Sequence, residues 1–130
     1  MRLQVAGLLV RDRRLLLCLR SAARAYYPGV WDLPGGHVEP GEGEDAALCR
    51  ELAEELGIAI PVPAEPPFAR IADAALGFDL KLWRIHTWRG TPENRCPAEH
   101  DRIGWFHAEE AASLKLALPA YAGIIRQLLA

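Results

Sequence analysis

Glu51, Glu54 and Glu55 crowd one short segment of the chain. On a helix, residues three and four apart share a face, so Glu51 meets both of the others. Carboxylates held that close repel. A divalent cation that prefers oxygen donors relieves the repulsion; the alternative is a solvated acidic helix face. The loop just before, WDLPGG, brings Pro34, Gly35 and Gly36 up to the acids. Glycine permits close backbone approach, so carbonyls there can add oxygen ligands. A cation gathered in this way suits a polyanionic substrate, because it bridges and neutralises phosphate oxygens. The chemistry that follows is attack of water on a phosphorus of a diphosphate linkage, with a carboxylate taking the proton. Glu42 precedes the segment and Glu99 stands in a later loop as further acids, whereas Glu39 and Glu44 read as solvated.

These groups need a rigid carrier. The spacing predicts a helix from near Gly43 to near Leu56. Glu44 and Asp45 in its first turn suit the helix dipole. Leu48, Leu52 and Leu56 form an i,i+4 stripe that anchors it to a sheet, and Gly57 is a stop signal. Residues 3–10 and 15–19 read as strands, joined by a polar turn into a hairpin. The unbroken apolar run LLLCL of the second predicts burial on both faces, and Gly7 permits close packing or a bulge. Four prolines between residues 58 and 67 exclude a helix there. Residues 67–73 read as a strand, 75–77 as a turn and 78–88 as the best later strand. Its alternation slips at Trp83, which predicts a bulge or two-sided burial. A polar loop at 89–99 leads to a short strand at 101–107, a weak helical segment at 108–114 and a helix at 119–130 that opens on Pro119. The expected architecture is one layered α/β domain over residues 1–130 with a mixed sheet.

Arg20 ends the second strand and Arg24 follows it; each offers a planar fork of donors for phosphate oxygens or serves as an ordinary surface arginine. His37, next to Gly36, can touch substrate, with a purely structural role as the alternative. Phe78 and Trp83 are candidates for a base pocket, with sheet packing as the alternative. Tyr26 and Tyr27 can flank a planar base, and Trp31 reads as structural. His37, His86, His100 and His107 form no metal-spaced set.

The segment from Gly36 to Ile58 resembles the signature of the Nudix hydrolase family over its whole length. Gly36, Glu42, Arg50, Glu51, Leu52, Glu54, Glu55, Gly57 and Ile58 occupy every fixed position. The resemblance implies an α/β/α sandwich and a Mg²⁺-dependent hydrolase, with Mn²⁺ as a substitute. Glu51 and Glu55 match the principal metal ligands, joined by Glu54 and the Gly36 carbonyl. Arg50 would orient the acids. Glu99 resembles a glutamate outside the signature that serves as ligand or general base, so Glu54 and Glu99 both stand as candidates for the base. Arg20 matches an arginine that contacts substrate phosphates.

Within the family, this chain looks most like the MutT-type nucleoside triphosphate pyrophosphohydrolases, which release a monophosphate and pyrophosphate. An oxidised purine triphosphate is one candidate, although LKLALPAYAG lacks the asparagine with which MutT reads its purine. The region 73–77 lacks the proline and tyrosine marks of the ADP-ribose and diadenosine polyphosphate groups. The alternatives are a hydrolase of nucleotide sugars or other diphosphate-linked metabolites and a non-catalytic nucleotide-binding module. The resemblance leaves a homodimer open.

Composition narrows the partners. A net charge of −2 gives no reason to expect stable nucleic-acid binding. Nothing approaches a membrane-spanning length. The cysteines, Cys18, Cys49 and Cys96, are widely spaced and odd in number. They read as reduced thiols of a cytoplasmic protein with no signal segment.

Overall fold

The computed structural model describes residues 1–130. Strands β1 (Arg2–Arg11) and β2 (Arg14–Arg20) form the expected hairpin. Its two loop residues, Asp12 and Arg13, both take positive φ, 54° and 61°. That loop geometry matches the right-handed twist of paired strands. The ladder is short: Val10 faces Leu15 and Arg11 faces Arg14. Beyond it the two strands part.

Each then finds other partners. β1 runs parallel to β6 (Phe78–Ile85), whose other edge takes β5 (Ala69–Asp73) antiparallel. β2 pairs antiparallel with β7 (His100–Phe106). The opening between β1 and β2 is filled by the loop WDLPGGH. Its first residues form β3 (Trp31–Asp32) against β2, and its last form β4 (Gly35–His37) against β1. Between them the Gly7 N–H donates to the Pro34 carbonyl at 2.9 Å.

Alternate strand residues feed two apolar clusters. Val5, Leu9, Leu16, Trp83 and Ile85 meet Leu48, Leu52 and Leu56 of helix α1 (Glu44–Leu56). Ala6, Leu8, Leu15, Leu17, Leu80 and Leu82 meet Tyr121, Ile125 and Leu128 of α3 (Tyr121–Leu128). The short α2 (Ala108–Ala112) adds Ala111 to the second cluster. The result is the expected α/β/α sandwich with a mixed sheet. A Cβ at Gly7 would stand 3.1 Å from Leu52 Cδ1, so this glycine lets α1 press onto β1. Gly57 caps α1 at φ 71°.

Several expectations shift. The strand at 78–88 stops at Ile85, and the slip at Trp83 is two-sided burial: Leu82 faces one cluster and Trp83 the other. The last helix begins at Tyr121 and ends at Leu128, short of the expected 119–130. β3 and β4 had no sequence signal, because strands of two and three residues rich in glycine show no alternation. No helix is long and apolar enough to cross a membrane.

Candidate active site

One cavity of about 440 Å³ opens beside the filled gap between β1 and β2. Its acid end holds Gly35, Gly36, Glu51, Glu55, Glu99 and His100, and its apolar end Ala6, Leu33, Phe78, Leu80, Leu118 and Tyr121. Arg20, Arg24 and Asp32 also line it.

α1 delivers the acids while its leucines are buried. Glu55 is 4% exposed, and its Oε1 accepts the Gly35 N–H at 3.3 Å. Burial, first of all, then a hydrogen bond and like charge from Glu51, push its carboxyl up to about 10. Burial in that condition favours the neutral carboxyl, and a cation beside it would favour the charged form. Gly36 makes room for the pair: a Cβ there would lie 2.5 Å from Glu51 Oε1. At Gly35, φ is +156° and a Cβ would lie 2.0 Å from the Val5 carbonyl oxygen, so β4 can close on β1 only as glycine.

Arg50 organises the outer acids. Its Nε and Nη2 donate to Glu42 at 2.7 and 2.9 Å, and Nη1 to Glu51 at 3.0 Å and Glu54 at 3.3 Å. Nη2 also meets the His37 carbonyl at 3.0 Å, tying α1 to the glycine loop. This guanidinium holds the Glu42 carboxyl down at about 2. Glu54 faces Arg50 with 56% of its side chain exposed and does not line the cavity. As the side chains stand, no three His, Cys, Asp or Glu groups converge to hold a metal ion. The donors nonetheless fit a hard divalent cation: all are oxygens, and two carboxylates with a glycine backbone stand at one cavity end.

The remaining candidates separate. Arg20 is committed to the chain itself: Nε donates to the Tyr27 carbonyl at 3.0 Å, Nη2 to that of Tyr26 at 2.9 Å, and Nη1 meets Asp32 at 3.4 Å. It braces the loop after β2, where the sequence left a phosphate contact open. Arg24 lines the cavity with no side-chain ion pair, and His37 and Phe78 line it as well. Trp83 does not: it is 4% exposed and packed in the α1 cluster on the other face. Trp31 is structural, edge to face with Phe106 at 4.8 Å.

Sequence reasoning passed over Asp32, His100 and Tyr121. Tyr121 donates its hydroxyl to Asp32 Oδ1 at 2.7 Å across the cavity wall. Asp32 could have been marked from its place in WDLPGG, between an aromatic residue and the glycines. His100 follows Glu99 but belongs to no motif. It is 4% exposed, and burial holds its imidazole below the usual histidine range.

The chain matches the NUDIX domain model over residues 1–128 and belongs to that family of hydrolases. A CTP pyrophosphohydrolase of Escherichia coli (strain K12) is 34% identical over 113 residues, covering 87% of this chain and 81% of that protein. A nucleoside triphosphatase NudI of Enterobacter sp. (strain 638) is 40% identical over 87 residues, covering 63% and 62%. The crystal structure of a MutT NUDIX hydrolase from Burkholderia pseudomallei superimposes with a TM-score of 0.81 at 32% identity, covering 98% of this chain and 97% of that one.

Proposed function

We propose that this chain hydrolyses a nucleoside triphosphate, with Mg²⁺ or Mn²⁺, to the nucleoside monophosphate and pyrophosphate. The observation that carries the reading is a single cavity lined both by Glu51 and the buried Glu55 and by apolar side chains. Its volume, about 440 Å³, falls in the ~300–1,000 Å³ range of small-molecule sites. The names of the relatives, CTP pyrophosphohydrolase and nucleoside triphosphatase, support a triphosphate substrate.

Glu51, Glu55 and the Gly36 carbonyl would hold the cation, with Glu54 as a further oxygen donor. Bound there, a divalent cation neutralises phosphate charge and lowers the pKa of water. Arg24, unpaired in the wall, takes phosphate oxygens. Phe78, Leu80 and Leu118 receive the nucleoside. Glu99, which lines the cavity where Glu54 does not, accepts the proton of the attacking water. The water oxygen bonds to phosphorus, and the bond from that phosphorus to the bridging oxygen breaks. Arg50 keeps Glu51 and Glu54 oriented and touches no substrate.

A panel of nucleoside triphosphates, oxidised triphosphates, nucleotide sugars and ADP-ribose, with Mg²⁺ and products identified by mass, tests the reading. Monophosphate and pyrophosphate from a triphosphate are the expected products. Cleavage of only the diphosphate-linked metabolites overturns the substrate class. No cleavage by folded, cation-loaded protein overturns the hydrolytic reading.

A further inference from the structure

β7 opens on His100, whose side chain is 5% exposed at the acid end of the cavity. Its backbone is held from several directions. The His100 N–H donates to the Cys96 carbonyl at 2.9 Å, the His100 carbonyl accepts from the Asn94 side-chain amide at 2.8 Å, and the residue pairs with Arg20 across the ladder. The ring therefore has a defined place. Its Nε2 stands 3.9 Å from Glu55 Oε1. Its Nδ1 is the one buried side-chain nitrogen or oxygen in the protein that finds no hydrogen-bond partner.

A neutral imidazole has one N–H and one lone pair. An ionised Glu55, the form in which a carboxylate ligates a cation, decides between the two tautomers. With the proton on Nδ1, an N–H would be buried without an acceptor, and the Nε2 lone pair would face a carboxylate oxygen. With the proton on Nε2, the N–H faces the carboxylate and only a lone pair is left unpartnered. The second arrangement costs less.

We infer that His100 is a positioning residue for the cation site: its Nε2–H closes onto Glu55 Oε1 and, together with the Gly35 N–H at 3.3 Å, orients that carboxylate toward the ion. The inference rests on the cation site proposed above. Partners that hydrogen-bond a metal ligand commonly account for about 10–100-fold in metal affinity, so a side chain outside the ligand set can govern occupancy.

The test is Mn²⁺ binding by substrate-free protein, followed by calorimetric titration, in wild type and in His100→Ala, His100→Gln and His100→Asn. Gln carries its amide nitrogen at about the reach of Nε2, and Asn at about the reach of Nδ1. The expected result is about 10–100-fold weaker binding for Ala, recovery in Gln, and none in Asn. Metal-free melting curves identify the variants that fold, and the Gln and Asn pair carries the comparison if Ala does not. Wild-type affinity in folded His100→Ala, or recovery in Asn equal to that in Gln, overturns the inference. Wild-type protein that binds no Mn²⁺ overturns the cation site itself, and this inference with it.

Discussion

Glu55 and Glu54 differ by one position and by nearly everything else. Glu55 is buried, and its folded pKa of about 10 lies above the ordinary value of 4.5. The folded state therefore binds this proton more tightly than the unfolded chain. The metal-free protein loses stability as pH rises through that window. Melting of the metal-free protein should fall between about pH 6 and about pH 8.5, and Glu55→Gln should remove much of that slope and melt higher than wild type at the alkaline end. An unchanged slope in Glu55→Gln would place the titration elsewhere. Glu54 is more than half exposed and paired only with Arg50, a contact worth up to about 1 kcal/mol. Glu54→Gln should fold normally yet lose most of its turnover together with Mn²⁺ affinity. Glu99→Gln should lose about 10²-fold or more in kcat with Mn²⁺ affinity retained. Near-normal turnover in folded Glu54→Gln would remove that residue from the site. The acid cluster was legible in the sequence because helical spacing alone puts Glu51 beside Glu55. Which acid is buried was not, since that depends on β4 closing over α1, and the short glycine-rich β4 carries no periodic signal.

At the scale of elements, the loop that fills the gap in the sheet separates a structural glycine from one at the acids. At Gly35 an added Cβ meets backbone 2.0 Å away, at φ +156°. At Gly36 it meets the end of the Glu51 side chain. Gly35→Ala should lower stability by at least about 2 kcal/mol in denaturant titration. Gly36→Ala should keep most of its stability and weaken Mn²⁺ binding, because a flexible side chain can swing aside where a strand cannot. Equal stability losses in the two would show that the loop does not divide this way. The helix that carries the acids was readable end to end, from Gly43 to Gly57, since its apolar stripe, first-turn acids and stop signal agree. For Arg20 the sequence left a phosphate contact and an ordinary surface arginine both open, and for a physical reason. A guanidinium beside a turn satisfies loop carbonyls as readily as phosphate, and pattern cannot tell the two acceptors apart. Trp83 stood between a base pocket and sheet packing because an aromatic residue in a strand faces a cavity or a core according to register, and here its parity turns it toward α1.

Across the whole molecule, two apolar clusters on opposite faces of one sheet hold the sandwich together, but only one of them positions acids. Leu52 is fully buried under α1 and Ile125 is 3% exposed under α3. Truncating either to alanine should cost about 2–5 kcal/mol. Leu52→Ala should in addition weaken Mn²⁺ binding, because the turn it anchors carries Glu51 and Glu55, whereas Ile125→Ala should leave that affinity intact in the folded fraction. Equal effects on Mn²⁺ affinity would mean that the sheet transmits strain freely between its faces. The layered class was legible from the order of strands and helices. The splaying of β1 and β2 was not, because hairpin pairing reads from local sequence while the departure from it depends on partners far along the chain. That splaying has a consequence for descent. Glu51 and Glu55 hang from the helix on one face of the sheet, and Phe78, Leu80 and Leu118 pack with the apolar cluster on the other. Changes on the α3 side can therefore accumulate without disturbing the acids. A lineage built on this plan can exchange one nucleotide for another while its hydrolytic machinery stands still, and relatives that share the acid helix need share no substrate.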